Sequence, residues 1–202
     1  MCNRYEIWRI SRLYDEMGNW VGQPPDPPDR PIQVAPSVGA PIIRAVDGGN
    51  EDAIARWGNM VKGYATFNAR AYTIDSLRTY KHLFRSTRCI IPATAWFEYQ
   101  DTAGRKPGEK KPMWRISLDH GQDFALAGLW GTFKEEGGTV DRFTMIMTDA
   151  NQKIAKVHDR MPIVLEPKDY RFWLDRGIDD VPALKALLVP AADKRIVLER
   201  IR

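Results

Sequence analysis

The chain has 202 residues, of which 44% are hydrophobic and 28% are charged, and these values are typical of one ordinary globular domain with a substantial core. Its 30 basic and 26 acidic residues give a net charge of +4, which excludes binding to DNA by electrostatics alone and favours an anionic partner only weakly. No apolar run approaches the roughly 18 residues of a membrane span, and the charged start is not a signal peptide, so we expect a cytoplasmic, nucleoid-associated protein with no membrane partner.

Cys2 is the first residue along the chain with distinctive chemistry. Its side chain is small enough for ordinary processing to remove Met1, which would leave an α-amine and a thiol on one residue. Their unperturbed pKa values lie near about 8 and about 8.5, so both nucleophilic forms are accessible at neutral pH. With an aldehyde, such an aminothiol can form a Schiff base that closes to a thiazolidine ring. The alternative is that Cys2 is simply a small buried hydrophobe.

The cysteine and histidine content predicts neither disulfides nor a metal site. Cys2 and Cys89 are too few for a disulfide framework, and a reducing compartment keeps both as thiols. The three histidines of the chain show no zinc-ligand spacing with them. We therefore expect no metal and no cofactor.

The first third of the chain predicts an arm, a loop and a hairpin. Residues 7–14 are spaced as in a short helix or irregular arm, and five prolines within residues 23–31 favour an exposed extended loop. A domain boundary in this loop is the alternative, but the preceding residues are too few to form a core, so one domain over 1–202 is expected. Residues 32–46 predict short strands, which continue through a turn at 47–50 into a hairpin. Helix is the competing interpretation of residues 51–57.

The remainder predicts strands with helices inserted between them. Asp75 is expected to cap a helix that ends near residue 84. Strands are predicted at 89–91, 95–100, 113–118, 124–133, 142–148 and 163–165. A loop at 101–112 joins the second of these to the third, and a turn at 135–138 joins the strands at 124–133 and 142–148. Short helices are predicted at 150–156, 167–174 and 181–188. This order indicates an α+β fold with a mostly antiparallel, barrel-like β-sheet and peripheral helices.

Three polar residues are candidates for chemistry. Glu98 lies among aromatic residues in a predicted strand; alternation can point it to solvent, but if it faces inward, burial raises its pKa and suits a proton shuttle. His158 lies between a predicted helix and a strand, where sites are commonly built, although a single histidine is more often structural. Asn68 offers a carboxamide that can orient a nucleophile or hold a carbonyl oxygen.

Five motifs follow one another with compatible spacing. They are Met-Cys-x-Arg-Tyr at 1–5, Val-Ala-Pro at 34–36, Asn-Ala-Arg-Ala-x-Thr at 68–73, Arg-Cys-Ile-Ile-Pro-Ala with Trp-Phe-Glu-Tyr within 88–99, and His-Asp-Arg-Met-Pro at 158–162. Together they resemble the SOS-response-associated peptidase (SRAP) family over about residues 1–175. Five ordered motifs make this resemblance specific.

The resemblance implies the SRAP fold and an enzyme that crosslinks itself to abasic sites in single-stranded DNA. In that family the mature N-terminal cysteine forms a thiazolidine with the ring-opened deoxyribose. By position, Cys2 would be the nucleophile and Asn68 would orient the N-terminus and the sugar. Glu98 would shuttle protons to the amine and the ring oxygen, and His158 would assist Schiff-base formation and reversal.

The resemblance also implies a DNA-binding set and one main partner. Arg4, Arg70 and Arg78 lie at positions that hold DNA phosphates in the family, and Thr148 lies beside the site. Arginine guanidinium groups suit phosphates because they donate in a planar fork. The expected partner is single-stranded DNA that contains an abasic site, bound by a monomer.

The chain departs from the family pattern at several positions. Asn3 replaces the usual glycine beside the nucleophile, Gln33 stands where asparagine is common, and Tyr72 replaces a usual glutamate. Residues 57–63 lack the Pro-Ser-Trp-type sequence that supplies an aromatic wedge against the DNA stack. Met60 and Tyr64 are the candidates to substitute for that wedge.

Two other classes of function remain open from the sequence. An N-terminal-nucleophile hydrolase, either a thiol peptidase or an amidohydrolase, would use Cys2 to attack a carbonyl and Asn68 to stabilise the oxyanion. A non-catalytic module that binds single-stranded DNA would follow if Met1 were retained.

Overall fold

The computed structural model describes residues 2–23, 26–61, 64–100, 108–119 and 121–202. Its strands, in chain order, are β1 Tyr5–Ile7, β2 Ile32–Val34, β3 Gly39–Val46, β4 Gly49–Trp57, β5 Asn59–Val61, β6 Tyr64–Thr66, β7 Asn68–Arg70, β8 Arg88–Ala93, β9 Ala95–Tyr99, β10 Met113–Leu118, β11 Phe124–Glu135, β12 Gly138–Asp149, β13 Arg160–Pro162, β14 Val164–Leu165 and β15 Ile196–Arg200. The α-helices are α1 Ser11–Met17, α2 Lys81–Ser86, α3 Tyr170–Leu174 and α4 Val181–Ala186. Single 3₁₀ turns lie at Ala71–Thr73, Ile154–Lys156, Pro167–Asp169 and Asp193–Arg195.

The strands form a barrel and a flanking sheet. β12, β4, β3, β8 and β11 pair in that order, and β11 pairs again with β12, so these five strands close on themselves. A second sheet has the order β15, β10, β9, β1, β2, and every pair in it is antiparallel. Two parallel pairings, β4 with β12 and β7 with β12, interrupt the antiparallel pattern. The predicted α+β class with a mostly antiparallel, barrel-like sheet and peripheral helices is confirmed.

One hydrophobic core joins the two sheets, and its buried members extend from Cys2 to Ile196. The barrel is tight, because a Cβ added at Gly128 would lie 2.9 Å from the Cys89 sulfur and 2.9 Å from Ile91. Glycine therefore permits β11 to approach β8 where the barrel closes. A glycine at 48 with φ of +93° forms the tight turn between β3 and β4.

Most predicted strands are confirmed, including both hairpins, whereas three local predictions are wrong. Residues 5–7 form strand β1, and the first helix begins at Ser11 rather than at residue 7. Residues 49–57 form strand β4, so the helical interpretation of 51–57 is wrong. β3 supplies a complete antiparallel partner for β4 along its length, and this pairing overrides the local ambiguity.

Asp75 does not cap a helix. Residues 71–73 form a 3₁₀ turn and α2 begins only at Lys81. The Asp75 carboxylate instead accepts a hydrogen bond from the Lys185 ammonium at 2.8 Å, which ties this segment to α4. A long-range ion pair therefore takes the side chain that the sequence assigned to a local cap. The terminal strand β15, which pairs with β10, was not predicted.

Parts of several predictions fall outside the described residues. These are the prolines at 24 and 25 in the proline-rich loop, residues 101–107, and the side chains of the wedge candidates Met60 and Tyr64. Within the described ranges, none of the helices is both long and apolar enough to cross a membrane.

Candidate active site

The candidate site is built around Cys2, which lies three residues before β1 and is buried in the core. Its side chain is 1% exposed, and the thiol donates a hydrogen bond to the Arg4 carbonyl at 3.4 Å. Tyr5 of the same strand packs into the core edge-on against Trp57, with ring centroids 5.2 Å apart. The strand therefore anchors Cys2 from the core side, while Asn3 is exposed to solvent.

Asn68 holds Cys2 directly. It begins β7, which runs parallel to β12 with Asn68 opposite Met145. Alternation along β7 buries Ala69 in the core and places Asn68 on the other face. Its amide Nδ2 donates to the Cys2 carbonyl at 2.7 Å, and because a carbonyl only accepts, this contact fixes the orientation of the amide.

The oxygen of the Asn68 amide is left without a hydrogen-bond donor among the described residues. Its Oδ1 atom is buried and accepts no hydrogen bond from any residue that the structure describes. A buried acceptor without a donor costs free energy, so such atoms in native proteins mark a place for a ligand or water. Asn68 thus fastens Cys2 with one end and can accept an N–H or O–H from a bound molecule with the other.

Glu98 lies on β9, an inner strand of the second sheet between β1 and β10. It is 3% exposed, so the solvent-facing interpretation of its position is wrong and the inward-facing one is confirmed. Burial, with a smaller contribution from the nearby charge of Asp159, raises the pKa of Glu98 to about 8. At neutral pH the buried group is therefore mainly a carboxylic acid that can donate a proton.

The Cys2 thiol is also held in its neutral form. Burial raises its pKa well above the ordinary value, and any negative charge on Glu98 acts in the same direction. A cysteine whose thiolate is stabilised by a neighbouring cation shows the opposite shift. The resting site therefore contains a protonated thiol beside a protonated carboxyl group.

His158 completes the polar group. It lies between the 3₁₀ turn Ile154–Lys156 and β13, with Nε2 3.9 Å from Glu98 Oε2. Its Nδ1 accepts the backbone N–H of Arg160 at 3.0 Å, and the Asp159 carboxylate also lies 3.0 Å from Nδ1. The backbone contact requires an Nδ1 without a proton, whereas a hydrogen bond to the Asp159 carboxylate requires an Nδ1 that carries one. The backbone contact is fixed by the fold, whereas the Asp159 side chain is 78% exposed, so we assign Nδ1 as an acceptor and the proton to Nε2.

The four predicted catalytic residues Cys2, Asn68, Glu98 and His158 thus lie together, although they come from four separate segments of the chain. Two polar atoms 3.9 Å apart, such as His158 Nε2 and Glu98 Oε2, can both contact one oxygen atom placed between them. The arrangement can supply protons to, and remove protons from, a small group bound above Cys2.

The predicted DNA-binding residues are less closely grouped. Arg4 donates to the Gln33 side chain at 3.3 Å, and Arg70 extends outward from the end of β7. Thr148 is half-buried on β12, opposite Met161 of β13. Arg78 is exposed in the turn before α2 and makes no hydrogen bond with any described residue. Three of the four are therefore on elements that also position the site, and Arg78 is on a neighbouring segment.

The structure adds residues that the sequence did not single out. The Tyr5 hydroxyl and the Trp96 indole N–H are fully buried and have no hydrogen-bond partner within the described part of the chain. The two residues are directly opposite each other across β1 and β9. Arg160 orients His158 through its backbone and pairs with Asp149 at 2.7 Å. Tyr5 and Arg160 both belong to the motifs that define the resemblance, which is the signal that could have identified them.

Two further findings concern this region. Trp57 is fully buried and donates its indole N–H to the Phe67 carbonyl at 2.9 Å, so it is a core residue and not an exposed wedge. Within the described ranges, no three His, Cys, Asp or Glu side chains are grouped so that they could hold a metal ion.

Comparison with known proteins gives a consistent result. A family model described as SOS response associated peptidase (SRAP) matches residues 1–202. The chain is 34% identical to the abasic site processing protein YoqW of Bacillus subtilis, over 78% of this chain and 72% of that protein. It is 32% identical to YoaM of the same organism, also named an abasic site processing protein, over 94% and 86%. A crystal structure of a protein from Bordetella bronchiseptica has the same fold, with a TM-score of 0.80, 23% identity and complete coverage of both chains.

Proposed function

The chain belongs to the SOS response associated peptidase (SRAP) family, and from that premise we propose that it captures abasic sites in single-stranded DNA by bonding covalently to them. The nucleophile is Cys2 after removal of Met1. The observation that supports this most directly is the 2.7 Å hydrogen bond from Asn68 to the Cys2 carbonyl. It holds the residue that would bear both the amine and the thiol beside the buried Glu98. Relatives named abasic site processing proteins support the choice of substrate.

The proposed reaction joins one aldehyde to one aminothiol. The Cys2 amine adds to C1 of the ring-opened deoxyribose and gives a carbinolamine, which loses its hydroxyl as water and becomes a Schiff base. The thiol then gives its proton to a base, and the sulfur adds to the same carbon of the protonated Schiff base, whose nitrogen keeps its proton. A thiazolidine ring results, one water is released, and no oxidant or reductant is needed. Holding both nucleophiles at one carbon is a proximity effect worth several kcal/mol.

Glu98 and His158 supply the protons of this sequence. With a pKa of about 8, Glu98 can protonate the sugar ring oxygen as the ring opens and take back the proton that the C1 hydroxyl releases as it becomes the aldehyde. It can then protonate the carbinolamine hydroxyl as it leaves. The resulting carboxylate can then accept the thiol proton. His158 Nε2, 3.9 Å from Glu98, contacts the same oxygen and assists both directions of the Schiff-base step.

The order of the two bonds follows from the resting protonation states. Because burial keeps the Cys2 thiol neutral, the sulfur is a weak nucleophile until a base removes its proton. That base appears only when Glu98 has given up its own proton in the first step. We therefore infer that the amine attacks first and the sulfur closes the ring second.

The same protonation states argue against the hydrolase alternative. A thiol peptidase needs a thiolate, usually paired with a protonated histidine. Here burial raises the thiol pKa instead of lowering it. The non-catalytic DNA-binding alternative predicts no covalent product, so one experiment separates it from our proposal.

The experiment uses protein shown by intact mass to lack Met1. It is incubated with a single-stranded oligonucleotide that contains one abasic site, and the products are separated on a denaturing gel. We expect a stable protein–DNA band with wild type and none with Cys2→Ala. The matched control is Cys89→Ala, which removes the other buried thiol and should keep the band. Wild-type protein that never forms the band would contradict the proposal.

A further inference from the structure

Tyr72 is an exposed aromatic residue next to the candidate site. Its side chain is 60% exposed, which is unusual for a large ring in a well-packed protein. The local backbone explains why it points outward. Ala71 and Ile74, three residues apart around the 3₁₀ turn, are 7% and 0% exposed, so they anchor one side of the turn in the core. Tyr72 is thereby fixed on the opposite, solvent side.

Tyr72 is linked to Arg70. The Arg70 guanidinium Nη1 donates to the Tyr72 hydroxyl at 3.0 Å, and both side chains are exposed. The hydroxyl accepts this hydrogen bond without neutralising the guanidinium. Arg70 therefore keeps its positive charge and its remaining N–H donors for another partner. A carboxylate at position 72, the usual residue in the family pattern, would pair with Arg70 and compete with a phosphate for it.

This pair lies on the same side of β7 as the contact to the nucleophile. Asn68 and Arg70 are two residues apart on β7, and residues two apart on a strand project from the same face. Asn68 donates to the Cys2 carbonyl. A strand rises about 3.3 Å per residue, so Arg70 follows Asn68 along β7 by about the length of one nucleotide. Tyr72 lies beyond the strand, in the 3₁₀ turn, and its hydroxyl is next to Arg70.

We propose that Arg70 and Tyr72 form a nucleotide subsite, in which the Tyr72 ring stacks on the base that flanks the abasic site and Arg70 binds the adjoining phosphate. This subsite rests on the proposed function, and it defines the substrate as single-stranded DNA with an intact base beside the missing one. Stacking on an aromatic ring accepts any base, because every base has a π face. The subsite therefore confers a requirement for a flanking base without a preference for its identity.

The test measures non-covalent binding, so that it is independent of the crosslinking reaction. The probe is a single-stranded oligonucleotide with a central tetrahydrofuran residue, which mimics an abasic sugar and has no aldehyde. Loss of a base–aromatic stack weakens binding by about 5- to 100-fold, and we expect a Kd increase in this range for Tyr72→Ala. Tyr72→Phe keeps the ring and should stay within about threefold of wild type. Ile54→Ala, which truncates an equally exposed apolar side chain on β4, is the control.

A second pair of probes identifies the base. Each carries one further tetrahydrofuran residue, immediately 5′ or immediately 3′ of the central one. We expect that removal of the base on one side weakens wild-type binding and abolishes the difference between wild type and Tyr72→Ala. A Tyr72→Ala effect that is the same on all three probes indicates a structural role and overturns the subsite, as does the absence of any effect. Failure of the covalent reaction itself would appear only with the aldehyde substrate, so the two proposals fail separately.

Discussion

At the scale of single residues, Asn68 is the side chain on which the position of Cys2 depends. Asn68→Asp replaces the N–H donor with a second acceptor, so the 2.7 Å contact to the Cys2 carbonyl becomes repulsive. We expect the single-turnover rate of crosslinking to fall by at least about tenfold, because misplacing a nucleophile removes a proximity effect. Asn3→Asp adds the same charge beside Cys2 on an exposed side chain, and it should stay within about threefold. Equal losses in the two variants would show that charge alone, and not the hydrogen bond, is responsible.

Glu98 sets the pH dependence of the proposed reaction. The amine becomes reactive as pH rises through its ordinary pKa near about 8. Glu98 loses the proton that it must donate as pH rises through its own pKa of about 8. The crosslinking rate should therefore rise and then fall with pH, with its maximum near about 8.

Glu98→Gln isolates the contribution of the buried acid. The amide cannot donate a proton as an acid does, so the rate should be lower throughout and should no longer fall on the alkaline side. Rates are measured by single-turnover gel assay between pH 6 and pH 10. Glu136→Gln, an exposed carboxylate in the turn between β11 and β12, should retain the full profile. An unchanged alkaline decline in Glu98→Gln would assign that limb to another group.

At the scale of secondary-structure elements, Arg88 joins the helices to the barrel. Its buried guanidinium donates to backbone carbonyls of five residues at the ends of α2 and α3 and just beyond: Phe84, Arg85, Trp173, Asp175 and Ile178. Each carbonyl left buried without a donor costs about 1–3 kcal/mol. Arg88→Met should lower the free energy of unfolding by at least about 3 kcal/mol and the Tm by about 10 °C.

Arg85→Met is the matched control for that variant. Arg85 lies on α2, the helix whose end Arg88 binds, and pairs with Asp179, but both side chains are more than half exposed. An exposed pair contributes about 0–1 kcal/mol, so this variant should change the Tm by only a few degrees. Thermal denaturation followed by circular dichroism distinguishes the two. Similar Tm values for both variants would show that the buried guanidinium does not hold the helices to the barrel.

The elements that were predictable from the sequence are those whose signal is local. The turns at Gly48 and Gly137 and the apolar runs along β11 and β12 define two hairpins without reference to the rest of the chain. Asp75 was misassigned because its partner, Lys185, is 110 residues away. β15 was missed because a polar terminal segment becomes a strand only when β10 is available to pair with it. The barrel closes only when the β11–β12 hairpin pairs with β8 on one side and with β4 on the other. This closure is likewise a long-range property.

The candidate site was predictable in membership and not in geometry. Spacing alone gave weak signals for Asn68, Glu98 and His158, and only the ordered motifs brought them together. The inward direction of Glu98 depends on which face of β9 is covered by segments distant in sequence, such as the one that carries His158, and no local pattern specifies this. Tyr72 appeared in the sequence as a departure from the family pattern, and only its exposure and its contact with Arg70 suggested a use for it.

At the scale of the whole molecule, the small net charge of +4 means that a few placed arginines must account for DNA binding. Each phosphate contact to single-stranded DNA adds about 0.7 to the slope of log K against log salt. Arg4→Gln, Arg70→Gln and Arg78→Gln should therefore each lower the magnitude of that slope by about 0.7. The slope is measured with the tetrahydrofuran oligonucleotide.

Arg85→Gln serves as the control for the salt series, because Arg85 is exposed but paired with Asp179. It should leave the slope unchanged. Since Arg78 is exposed and makes no hydrogen bond or ion pair with other described residues, its variant should lose DNA affinity with no loss of stability. A slope that stays constant in all three arginine variants would place the phosphate path on another face of the barrel.

The central claim is that one residue, Cys2, forms both new bonds to the sugar. The most direct test is mass spectrometry of the purified crosslink, intact and after digestion. We predict a mass equal to the protein without Met1 plus the oligonucleotide minus one water, with the DNA attached to the peptide that begins at Cys2 and no alkylatable thiol left on it. An adduct on a lysine, or one in which the Cys2 thiol is still free to be alkylated, would contradict the thiazolidine.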